Sequence, residues 1–196
     1  MRSEMTKISE DQKGLAKYLR QVIPGSPKVV RHHDANQHSS IDVFTSTTTV
    51  GELPAAAHAT LGLSEHPTGL SVDGKPLNVE FVCASFADDD VASLVVATCA
   101  FNAINSGWGV RPGVVHPGVM EMYLPLGRLE HVLLTDPFTW ALETQSLPSK
   151  TVAWVQLLPI SEAELGYMER HGETEFLRLL EQANIQPLDF SRKSAV

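Results

Sequence analysis

The stretch Gly69-Leu-Ser-Val-Asp-Gly74-Lys75 matches the opening of a phosphate-binding loop, whose backbone N–H groups cradle phosphates while the lysine reaches them. That chemistry also needs Ser or Thr at the next position, to hold magnesium, and a helix directed at the phosphate. Pro76 stands there instead, ahead of an extended stretch. The sequence therefore predicts a tight turn between strands and no bound nucleotide. Gly107-Trp-Gly109-Val-Arg-Pro112-Gly113 has the glycine rhythm of a dinucleotide fingerprint. A helix precedes it where a strand should, and Pro112 displaces the third glycine. These residues are read as a reversal of the chain.

Metal and acid/base chemistry have weaker candidates. Of eight histidines, His32, His33 and His38 cluster beside Asp34. A metal centre needs a rigid frame and recognisable ligand spacing, and neither Cys-x-x-Cys nor His-Glu-x-x-His accompanies them. The cluster is read as a solvated loop without metal. Asp88, Asp89, Asp90 and the pair Glu162/Glu164 fall where helices begin, where carboxylates suit the positive end of the helix dipole. Cys83 and Cys99 lie in apolar runs, as buried free thiols do, and no Gly-x-Ser-x-Gly elbow occurs. The residues thus give no catalytic group and no cofactor site.

Composition narrows the class. The chain has 196 residues, 43% hydrophobic and 19% charged, an ordinary single-domain mixture. Asp and Glu number 23 against 15 Lys and Arg, a net charge of −8. An acidic surface repels phosphate, so nucleic acid and anionic membrane are poor partners and a basic protein is a better one. The start of the chain has no apolar signal core, and no stretch suits a membrane span. A cytoplasmic protein is expected.

The elements that must position these residues follow from pattern. Ser9 and Gln12 form a capping box ahead of Leu15, Leu19 and Val22, and Pro24-Gly25 stops the helix. Residues 29–30 and 41–45 read as strands around a polar loop, 31–40. Residues 52–60 are ambiguous, their alanines favouring helix and their flanking threonines strand. Residues 77–84 alternate as a strand with Leu77, Val79 and Phe81 on one face. A helix capped by Asp90 carries Val91, Leu94, Val95, Thr98 and Phe101. Residues 119–123, 132–134 and 151–158 read as strands. Ser161 and Glu164 then form a second capping box, Gly172 ends that helix, and another carries Phe176, Leu177 and Leu180. Val155, Leu157 and Leu165 are expected to pack together. The sum is one α+β domain spanning residues 1–196.

Several blocks, taken in order, resemble the Suppressor of Fused domain family. Thr60-Leu-Gly62-Leu63-Ser64-x-x-Pro67 is similar to its Thr-x-Gly-(Met/Leu)-Ser-x-x-Pro segment, and Val79-Glu80-Phe81 to the strand that follows. Trp108…Gly113…Val115 resembles its loop. Val155-Gln-Leu-Leu-Pro-Ile-Ser161-Glu-Ala-Glu164-Leu…Gly172 resembles its strand, turn and short helix. The matched blocks cover residues 42–190. The resemblance implies a mixed or antiparallel sheet with flanking helices. It also implies a non-catalytic, protein-binding role, since animal members restrain a transcription factor and bacterial members look like immunity proteins that neutralise toxins. A small hydrolase or nucleotide-binding enzyme, with a site assembled from distant residues, is the alternative.

For a binding protein, Trp108 is the residue to watch. Flanked by glycines and near Arg111 and His116, it either stands clear as an interface anchor or caps the core. Trp108, Arg111 and His116 are the candidate partner-binding residues, with a basic toxin domain as the expected partner.

Overall fold

The computed structural model describes residues 8–89 and 91–196. Met1 to Lys7 and Asp90, the expected helix cap, lie outside the described residues. Among those described, nine strands form one sheet in the order β1-β2-β3-β5-β9-β7-β6, with β4 paired to β5 and β8 to β9. The strands are β1 (Ser26–His33), β2 (Ser40–Val50), β3 (Leu53–Leu61), β4 (Leu70–Val72), β5 (Lys75–Phe86), β6 (Val115–His116), β7 (His131–Thr135), β8 (Gln145–Ser146) and β9 (Thr151–Ile160). Only the central β5–β9 pair is parallel, so the sheet is mixed.

Among the described residues four α-helices flank it: α1 (Glu10–Val22), α2 (Ala92–Ser106), α3 (Glu162–His171) and α4 (Glu173–Gln182). Alternating side chains of the central strands feed two cores on opposite faces. Phe81, Cys83, Val155 and Leu157 pack with Val95, Val96 and Cys99 of α2. Phe44, Val82 and Trp154 pack with Leu15 and Leu19 of α1. Farther along that second face, Leu133, Leu158 and Ile160 meet Phe176 and Leu180 of α4. The fold is α+β, as the sequence implies.

Both capping boxes form, Ser9 with Gln12 and Ser161 with Glu164. At the start of α2 the Asp89 carboxylate accepts from the N–H groups of Val91 at 2.7 Å and Ala92 at 3.1 Å. Other expectations are corrected. The undecided stretch 52–60 is strand from Leu53 onward, with Glu52 in the turn before it, because pairing with β2 and β5 on both sides outweighs alanine's helix preference. Pro54 precedes the stretch paired to β5, where its missing N–H costs nothing. The loop at 31–40 is shorter, since β1 runs through His33 and β2 begins at Ser40.

Residues 119–123 form turns, not a strand. Val119 and Met120 are adjacent and enter the same core, which a strand's alternation cannot achieve. β5 is buried on both faces rather than one. Leu94 is 39% exposed, so the buried stripe of α2 centres on Val95, Val96 and Cys99. Leu165 joins the α4 cluster, on the face opposite Val155 and Leu157.

Candidate functional site

A cavity of about 300 Å³ opens between the segment after β3 and the loop after α2. Leu63, Pro67 and Val79 line one side and Ala103, Trp108 and Arg111 the other. Its first wall is fixed from beneath by β5. The buried Glu80 carboxylate accepts from Thr60 Oγ1 (2.5 Å), Gly62 N (2.9 Å), Leu63 N (3.2 Å), Ser64 N (3.1 Å) and Ser64 Oγ (2.7 Å). Burial pushes this carboxyl up, and the bonds from Thr60, Ser64 and Gly62 oppose that push. Two residues away, Asn78 Nδ2 donates to Ser64 O at 2.7 Å. Buried Lys150 reaches Glu65 at 2.9 Å and Asp11 at 3.4 Å, tying α1 to the same wall. The blocks 60–67 and 79–81 are thus one hydrogen-bonded unit that shapes a surface.

The second wall begins where Gly107, in the left-handed region at φ 68°, ends α2. Trp108 follows, half-buried, with its ring set edge-on to His116 at a centroid distance of 5.0 Å. His116 is fully buried, and its Nε2 donates to Gly109 O at 2.9 Å. Burial lowers its pKa, favouring the neutral ring. Arg111 is exposed at the rim. Of the three candidate residues, then, Trp108 and Arg111 offer surface, and His116 braces the tryptophan from below.

The remaining candidates disperse. Asp73 (φ 50°) and Gly74 (φ 76°) make the tight turn joining β4 to β5, so the stretch from Gly69 to Lys75 is a hairpin. His32 and His33 are successive strand residues, and His32 Nε2 meets Ser93 Oγ at 2.9 Å. Among the described residues no three His, Cys, Asp or Glu gather as a metal would need. Burial pushes both Cys83 and Cys99 thiols up, away from the thiolate. Glu162 bonds His131 Nε2 at 2.7 Å, and Glu164 is buried against Arg192. Among the described residues no helix is long and apolar enough to cross a membrane.

Sequence reasoning passed over Glu80 and Arg192 as functional supports. Glu80 had a signal, a lone carboxylate inside the apolar run Val79-Glu-Phe-Val. Arg192 had none, lying in a polar tail where arginine is ordinarily exposed.

A mixed sheet covered on both faces, with its buried charges holding loops in place, defines an α+β scaffold domain. Solved structures share that fold. A Suppressor of Fused homologue from Neisseria gonorrhoeae superposes with a TM-score of 0.71 at 16% identity, covering 96% of this chain and 97% of that one. A chain in the Sufu–Fu complex gives 0.68 at 15% identity, covering 96% and 93%. Drosophila Suppressor of Fused gives 0.67 at 15%, covering 94% of this chain and 51% of that one. The family model of the Suppressor of fused protein (SUFU) matches residues 37–193, and the chain belongs to that family. It is also 36% identical over 194 residues to Immunity protein YqcF of Bacillus subtilis (strain 168), covering 96% of this chain and 99% of the relative.

Proposed function

We propose that this protein is a non-catalytic, cytoplasmic immunity protein that binds and neutralises a basic protein toxin. The observation that carries the reading is its end-to-end likeness to Immunity protein YqcF. The net charge of −8 supports a basic partner, because opposite charge speeds encounter. Trp108 is the anchor: a tryptophan on a braced loop, beside exposed Arg111 and over buried His116, at the lip of a cavity.

The test is co-expression with any secreted toxin whose gene is found to neighbour this chain's gene, scored by growth. The wild type should restore growth, and Trp108→Ala should weaken the purified complex by more than about 1 kcal/mol with an unchanged melting temperature. Association should slow as ionic strength rises. Growth that is not restored, or binding indifferent to Trp108, overturns this reading.

A further inference from the structure

A second cavity, of about 510 Å³, lies between the segment that follows β7 and the α4 helix with the chain beyond it. Phe138 (52% exposed) and Leu177 (36% exposed) present apolar surface there, and Ile185 adds to the lining. Three carboxylates share the lining: Asp136, Glu173 and Glu181. Among the described residues no Lys, Arg or His lines the groove, and none of the three carboxylates is ion-paired. Arg178, next to Leu177 in the chain, is held instead by Glu175, at 2.5 and 3.0 Å.

Both walls are set before anything binds. The N–H groups of Phe138 and Thr139 donate to Oε1 of buried Gln156 at 3.0 and 3.1 Å. Gln156 Nε2 in turn donates to Thr139 Oγ1 at 2.7 Å. At the start of α4, Glu173 packs against Gly113, where an added Cβ would come within 2.6 Å of Oε2. A groove preorganised in this way loses little entropy on binding.

We propose that this groove docks a segment of a partner protein in which an apolar side chain is flanked by lysines or arginines. The apolar side chain fills the cavity beside Phe138 and Leu177, and the flanking cations meet Asp136, Glu173 and Glu181. A neutral apolar ligand would leave three carboxylates uncompensated at the contact, and an acidic one would be repelled. This rests on the protein-binding reading above but not on Trp108.

The probe is a labelled synthetic peptide with leucine set among lysines, titrated by fluorescence anisotropy at low salt. The controls are the same peptide with glutamate for lysine and with serine for leucine. Both control peptides should bind about tenfold more weakly or worse. Glu181→Lys and Phe138→Ser should each weaken the lysine peptide by about fivefold or more. Glu52→Lys, which makes the same change of net charge in the β2–β3 turn, should leave it unchanged.

Equal binding of the glutamate peptide, or equal losses in Glu52→Lys and Glu181→Lys, overturns the proposal. So does self-association in sedimentation that Phe138→Ser abolishes, since the occupant is then a second copy. The same variants go through the growth assay. Peptide binding without protection by the wild type sinks the toxin reading and leaves the groove standing. Protection that survives loss of peptide binding sinks the groove alone.

Discussion

Glu80 and Glu164 are both fully buried, and they are satisfied by opposite means. Around Glu80 the donors are three backbone N–H groups and two hydroxyls, drawn from a single turn of chain and the end of β3. Around Glu164 the main partner is a side chain distant in sequence. Arg192 donates to it twice, at 2.6 and 3.0 Å, and gives a further bond to Pro159 O at 3.0 Å. Ser161 N and Ala195 N complete the set at 2.9 Å each. The first arrangement shapes the wall of the Trp108 cavity, and the second fastens the end of the chain to the start of α3. A side-chain partner can be exchanged together with the carboxylate, whereas backbone donors cannot. The Glu80 site is therefore the less replaceable, even though no cation among the described residues holds it.

The largest expected effect tests the exchangeable site. Arg192→Ala leaves an uncompensated buried carboxylate and should cost about 3–5 kcal/mol in denaturant unfolding. The double variant Glu164→Leu with Arg192→Met should regain part of that loss, the remainder being the cost of Ser161 N and Ala195 N left without their acceptor. A double variant as unstable as the single one would erase the distinction drawn between the two sites. Next, Glu80→Gln should cost about 2–4 kcal/mol, because either amide orientation sets an NH₂ against at least two donors, at ~1–2 kcal/mol each. A companion substitution at Thr60 or Ser64 should not rescue it, since the backbone N–H groups remain unpaired. Rescue there would break the comparison.

Loss of charge is a third solution for a buried group, and His58 takes it. Among the described residues its ring nitrogens have two long polar contacts, Thr45 Oγ1 at 3.3 Å and Ser85 Oγ at 3.4 Å. Burial first, then the charges of Lys28 and His32, lowers its pKa to about 4. The folded value lies below the unfolded one, so the unfolded chain binds more protons between pH 4 and 6.5. Stability should be full above that window and fall as pH drops through it, by up to about 3 kcal/mol at ~1.4 kcal/mol per unit. His58→Gln should flatten this limb of the pH profile. A slope that survives the substitution would assign it to other groups and remove His58 from the comparison.

Much of the fold was legible because its signals are local. Ser9/Gln12 and Ser161/Glu164 announce their helices through a capping geometry complete within four residues. Asp73-Gly74 followed by Pro76 announces a hairpin for the same reason. The blocks at 60–67 and 79–81 pointed to the family in order and spacing, while their joint task around Glu80 stayed hidden until β3 and β5 lay side by side.

Composition and periodicity by themselves determined an acidic α+β domain, the helix starts and the central strands. Tertiary structure decided the rest. It made residues 53–60 a strand, because neighbours on both sides supply hydrogen bonds that propensity does not know about. It folded residues 119–123 into turns, because burial of two adjacent side chains is a property of the cavity they fill. It placed His116 beneath Trp108 and brought Arg192 to Glu164 from 28 residues away. Contacts between residues distant in sequence leave no periodic mark on either segment, so a buried charge is matched to its partner only once the chain has closed around both.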